Sequence, residues 1–194
     1  MKKLLMTTLF AAGAAIASAD ETAITDSSWA WSPLGIGIAA PAQLPWTDSD
    51  VYGIRFGGLF GWNATVYGID AGLFDYTTAD MYGIEVGGFN IVGGSAKGIQ
   101  AGVVNWDKLN AGGIDVALFN YAARQFYGIV VGGFNMTEDV IGCQLGVFNT
   151  AETVSGFQLG GINACNDITG VQIGVINVIA ESPVPIMVLV NAKF

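Results

Sequence analysis

A glycine returns at nearly fixed intervals along most of this chain, at Gly53, Gly68, Gly83, Gly98, Gly113, Gly128, Gly142, Gly156 and Gly170. The spacing is 15 residues five times and then 14 residues three times. Each glycine opens a block of the form G-Φ-polar-Φ-G-x-Φ-N, where Φ is apolar. Gly83, Gly87 and Asn90 mark one clear copy; Gly142, Gly146 and Asn149 mark another, and Gly170, Gly174 and Asn177 a third. The closing Asn recurs at Asn90, Asn105, Asn120, Asn135, Asn149, Asn163 and Asn177, with Phe60 and Asp75 read in its place in the first two blocks. Self-similarity at a fixed period means one supersecondary unit used many times.

Within a block the pattern has period two. Ile141, Cys143, Leu145 and Val147 fall on one side, and Gly142, Gln144 and Gly146 on the other. That is strand periodicity. Two glycines per block, each costing about 1 kcal/mol relative to Ala in a helix, exclude the helical alternative. Polar stretches such as Asp107-Lys108-Leu109-Asn110 and Thr137-Glu138-Asp139 read as turns.

The third position of the blocks carries Arg55, Asp70, Glu85, Gln100, Asp115, Gln144, Gln158 and Gln172, a polar belt on the glycine-bearing face. Gly146 lies on that same face, and its replacement by Val is expected to overpack it.

Lys2 and Lys3, the apolar run Leu4–Ile16 and the small residues Ala17-Ser18-Ala19 read as a secretory signal cleaved before Asp20. The apolar run is shorter than the roughly 20 residues a spanning helix needs. The chain carries 7 Lys and Arg against 16 Asp and Glu, net −9, and cleavage makes it more acidic. That balance argues against nucleic acid as a partner. Charged residues are only 12% of the chain, about half the usual share for a soluble domain, and mean hydropathy is +0.52. There is no histidine, and no nucleophile, phosphate-loop or zinc-ligand spacing, so no catalytic, cofactor-binding or metal-binding residue is expected.

The blocks resemble the repeats of the bacterial surface repeat-containing proteins, V-x-G-x-Q-x-G-x-x-N. The resemblance covers roughly Val51 to Val178, with Gln144, Gln158 and Gln172 at the family's Gln position. The segment Val51-Tyr52-Gly53-Ile54-Arg55 is similar to the family's opening segment, while Arg55, Asp70, Glu85, Asp115 and Val130 depart from the Gln. The resemblance implies export to the surface of a bacterial cell and no known activity.

Two all-β architectures fit. The favoured expectation is an antiparallel transmembrane β-barrel of about 10–12 strands, since about 9–11 tilted residues cross a bilayer. Tyr52, Tyr67, Tyr82 and Tyr127 before the glycine, and Tyr76, Trp106 and Tyr121 after the Asn position, suit interfacial belts. Ile186, Val188, Val190, Ala192 and Phe194 resemble a closing outer-membrane strand, with Phe194 as its assembly signal. In this reading the polar belt lines a lumen, and the chain is a structural protein or narrow pore of a Gram-negative-type outer membrane. Its partners are then membrane lipid and the barrel-assembly machinery.

The alternative is a secreted or surface-attached β-solenoid of 14–15 residues per coil, a binding or adhesion module with its belt as an exposed stripe. Stacking Asp70 on Glu85 at about 4.8 Å counts against it. Residues 1–19 are assigned to the signal, 20–50 to an N-terminal segment or first strand, 51–178 to the repeats and 179–194 to the closing strand. An antiparallel meander holds Cys143 and Cys165 too far apart for a disulfide, whereas a solenoid interior permits one.

Overall fold

The computed structural model describes residues 31–39, 42–45 and 49–194; the export segment read above lies outside them. The described chain is all strand and turn. β1 (Trp31–Ala39) and β2 (Ala42–Leu44) precede β3 (Asp50–Asn63), β4 (Val66–Thr77) and β5 (Met81–Val92). β6 (Ala96–Ala101) and β7 (Val104–Asp107) follow, then β8 (Ala111–Ile179), a continuous extended path through five blocks, and β9 (Ile186–Lys193).

From Val51 to Ala122 the strands of successive blocks pair in parallel, in phase apart from one shift in the first coil. Val51 lies beside Val66, Val66 beside Met81, Met81 beside Ala96 and Ala96 beside Ala111. A barrel meander would make each of these antiparallel. The expected barrel is therefore corrected to a β-solenoid in which each block is one coil. Pairing continues around the turns, as where Ala79 N–H donates to Ala64 O at 2.8 Å and Gly94 N–H to Ala79 O at 2.7 Å. A coil thus satisfies its backbone through its two neighbours. The change from 15 to 14 residues falls in the turn: Ala123-Arg124-Gln125 holds three residues where Glu138-Asp139 holds two.

In the first coil one extra residue shifts the register between Phe56 and Phe60, so Gly61, not Phe60, lies beside Asp75 in the Asn row. Phe60 instead joins the row of Phe74 and Phe89, rings stacked 4.8 and 4.7 Å apart. The same row continues through Phe119, Phe134 and Phe148 at 4.9 Å per step. These distances match the roughly 4.8 Å rise between paired strands.

Both ends of the parallel stack are covered by antiparallel strands. β2 pairs with β1, which itself lies parallel beneath β3, and β9 pairs with the last coil from Gly170 to Val178. Capping elements of this kind are expected where a repeat array would otherwise leave a bare edge. β9 therefore caps a stack, and Phe194, 93% exposed, closes no barrel.

Candidate functional site

The nine opening glycines have φ between 115° and 148°, a region that side-chain-bearing residues rarely enter. A Cβ on any of the last eight would overlap the carbonyl oxygen of the glycine one coil below, and one on Gly53 would meet Pro33 O instead. This corner brings the third-position side chains inward. Arg55, Asp70, Glu85, Gln100, Asp115, Gln144, Gln158 and Gln172 are all buried. The belt is neither the wall of an open lumen nor an exposed stripe, and both of those expectations are corrected. It is a buried polar axis.

Two amide ladders run along that axis. Asn90 Nδ2 donates to Asn105 Oδ1 at 2.9 Å, and the chain continues through Asn120, Asn135, Asn149 and Asn163 to Asn177 at 2.8–3.0 Å per step. Most of these amides also donate to a backbone carbonyl of the next coil, as Asn135 does to Leu145 O at 3.0 Å. The second ladder runs the other way: Gln172 donates to Gln158 at 2.7 Å and Gln158 to Gln144 at 2.5 Å. A carboxamide carries both donor and acceptor, so it can repeat without charge. The fifth-position glycines make room for the Asn row. A Cβ on Gly146 would lie 2.5 Å from Gly132 O and 2.6 Å from Asn135 Nδ2, so the crowding expected at Gly146 is interior crowding.

Asn135→Ala should cost about 2–4 kcal/mol in chemical denaturation, because it leaves buried amide and carbonyl groups of both neighbouring coils without partners. Asn177→Ala, at the ladder's end, should cost about 1 kcal/mol. Equal losses at the two positions would contradict a continuous ladder.

Toward the N-terminus the axis is ionisable. Arg55 pairs with Asp70 and lies 2.9 Å from Asp75. Gln100 Nε2 donates to Glu85 Oε2 at 2.8 Å and reaches Asp107 Oδ1 at 3.3 Å. Asp70 does stack directly on Glu85. Protonation resolves that like-charge conflict: burial, aided by the charge of Asp70, pushes Glu85 up to about 8. Burial likewise raises Asp75 and Asp115 to about 7, and burial with the Asp115 charge lifts Asp107 well above the usual carboxylate range. Burial raises Asp70 too, against the pull of Arg55.

Beneath the turns the interior is mostly apolar. Val140, Val154 and Ile168, two residues before each glycine, meet Ala151, Cys165 and Ile179 from the far side of the coil. Phe126 fills the same channel in the middle coils and clusters with Ala111, Ala122 and Val130, the last being the apolar member of the third-position row. The solenoid alternative expects apolar residues before and after each block, such as Val140 and Phe148, to face a narrow interior; Val140 does, whereas Phe148 is exposed. The far row, Ala151, Cys165 and Ile179, was missed in the sequence because it lies two residues past the Asn, outside the block's alternation.

The outer surface carries the remaining apolar positions. Ile54, Ile69, Ile84, Ile99, Ile114 and Ile129 form an exposed row, which Cys143 continues. From the opening glycine of each block to its Asn position, the charged residues are Arg55, Asp70, Asp75, Glu85 and Asp115, and all of them are buried. A shallow groove of about 290 Å³ beside the later turns, lined by Asp139, Thr153, Ser155 and Asp167 among others, gathers no convergent catalytic set. No group of three or more His, Cys, Asp or Glu among the described residues is placed to hold a metal ion.

The two thiols are free and face opposite ways. Cys143 lies on the outer Ile row. Cys165 is buried, accepts from Gln172 Nε2 at 3.3 Å, and is pushed up to about 12 by burial. The expected absence of a disulfide holds, for a reason other than strand separation in a meander. Native protein should titrate one thiol with a small maleimide, and denatured protein two; two fast native thiols would contradict the inward placement of Cys165.

Compared with protein-family models, characterised proteins and solved structures, the chain returned no match in any of the three.

Proposed function

We propose that this protein is a non-catalytic, surface-attached β-solenoid, exported to the bacterial surface, where it acts as a binding or structural module. The observation that carries this is the inverted distribution of polarity. Polar groups are gathered on a closed internal axis, where the Asn and Gln ladders bond them to one another, and two long, largely apolar faces are left outside. A soluble enzyme places its convergent polar groups in a cleft; here they are sealed within the coils. Extensive exposed apolar surface marks an interaction face. The repeat resemblance to bacterial surface proteins and the export signal read from the sequence support the location.

The test is display. A short epitope inserted after Leu109, in an exposed turn, should be bound by antibody on intact cells expressing the full chain. Signal appearing only after lysis would contradict the surface assignment.

A further inference from the structure

We infer that the apolar exterior is a wedge that inserts into the hydrocarbon of a neutral lipid bilayer, with the solenoid lying along the membrane rather than crossing it. This rests on the surface-module reading and names the partner of its apolar faces.

The outward rows are graded from one edge of the coil to the other. At the turn edge stand the charges, among them Lys108, Arg124, Glu138, Asp139, Glu152 and Glu181. The next outward rows on either side are rich in Tyr and Trp. Tyr52, Tyr67, Tyr82 and Tyr127 precede the corner glycine on one sheet, and Trp62 and Trp106 stand on the other. Beyond them, toward the opposite corner, lie only uncharged residues, mostly Ile, Val, Leu, Phe, Ala and Gly. Charge, then amphipathic aromatic, then hydrocarbon is the order met on moving from water through the headgroups into acyl chains.

The grading keeps its orientation from coil to coil, because each coil repeats the phase of the last. The charged ridge therefore runs along the solenoid axis, which places that axis in the membrane plane. An axis along the membrane normal would drive the ridge through the hydrocarbon.

Shape selects lipid over a second copy of the chain. The two apolar sheets meet at a convex corner on the outside of the coil. A flat protein partner covers one sheet and leaves the other bare, whereas fluid acyl chains wrap both. Charge selects neutral lipid, since the chain is net −9 and anionic headgroups would repel it.

The experiment uses the full chain and neutral phosphatidylcholine vesicles. A polarity-sensitive fluorophore on Cys143 should shift to the blue on vesicle addition and be quenched by acyl-chain nitroxides. The same fluorophore on the ridge, attached through Asp139→Cys in a Cys143→Ser background, should stay quenchable by aqueous iodide. Ile129→Glu should lower vesicle partitioning at least about tenfold, because a charge is placed in the hydrocarbon row. Arg124→Glu on the ridge should leave partitioning unchanged although it alters charge by more.

Failure to bind vesicles overturns the inference, and so does a lipid-buried ridge probe. A stable dimer that shields the Cys143 probe without lipid also overturns it and makes a second copy the occupant. If the Leu109 epitope is displayed on cells but vesicles are not bound, the lipid inference alone fails. If the epitope is never displayed, the surface reading fails whatever the vesicles show.

Discussion

Gly113→Ala is expected to destabilise the protein by about 3 kcal/mol or more, while Gly112→Ala beside it changes stability by less than about 1 kcal/mol. The two residues are adjacent and chemically identical, so composition and helix or strand propensity cancel. Gly113 holds φ at 115°, and a Cβ there would overlap Gly98 O, a backbone atom of the coil below. Relief would require two coils to part, breaking the inter-coil hydrogen bonds on either side. Gly112 has no positive φ, and its added Cβ would meet its nearest atom, Tyr127 O, at 3.3 Å, a contact that small shifts relieve. Stability in a coil array is a sum of units and interfaces, so damage at the middle of the stack cannot be avoided by fraying an end. Urea denaturation of both variants decides it. Equal effects would mean that the corner is not where the chain turns.

Glu85→Gln is expected to stabilise the protein at pH 8 by about 3 kcal/mol and to have almost no effect near pH 4. The sign follows from which state binds protons more tightly. Folding raises Glu85 to about 8 and Asp75 and Asp115 to about 7, chiefly by burial. Below the ordinary carboxylate range these groups are neutral in both states, and the stability they allow is fully present. As pH rises through 4 to 8 the unfolded chain ionises first, and stability falls until the folded groups also ionise. Wild-type protein should therefore lose stability steadily across that window, with Arg55 offsetting part of the loss through Asp70 and Asp75.

A glutamine at position 85 keeps an acceptor for Gln100 and reproduces the carboxamide pairing seen from Gln144 to Gln172. The variant should show a shallower slope, the remainder arising from Asp75, Asp107 and Asp115. Denaturation midpoints between pH 4 and 8 measure this, and a wild type more stable at pH 8 than at pH 5 would refute the buried neutral axis.

Much of this structure is legible in the residues. The glycine spacing gives the coil length, and the alternation gives strands with a Gly and polar side opposed to an apolar side. What the alternation leaves open is topology. A membrane barrel and this solenoid both turn Gln144 inward and Ile141 outward, so the pattern within a block is the same for each. The signal that separates them lies between blocks. Tyr52, Tyr67 and Tyr82 fall at one position and stack 4.8 Å apart, and Asn follows Asn through seven coils. Like residues at like positions make ladders only if neighbouring strands run parallel. The objection from Asp70 beside Glu85 assumed that both remain charged, which burial in the axis prevents. The far side of the apolar channel under the turns was hidden for another reason. Ile168 and Ile179 belong to one buried cluster across the coil, and nothing local marks them as neighbours.

The parallel register can be tested with one introduced thiol. Gly142 sits over Gly128, so Cys143 sits over Ile129 one coil away, about 4.8 Å along the stack. Ile129→Cys in a Cys165→Ser background should form a disulfide with Cys143 under mild oxidation in most molecules, since Cα separations of 4.4–6.8 Å suit the bond. In an antiparallel meander turning near Glu138, position 129 would pair near Val147, and the two sulfurs would be held roughly 13 Å apart along the strand. Peptide mass mapping of the oxidised, unreduced protein should find the 129–143 cross-link. Two free thiols in folded protein would contradict the stacked solenoid.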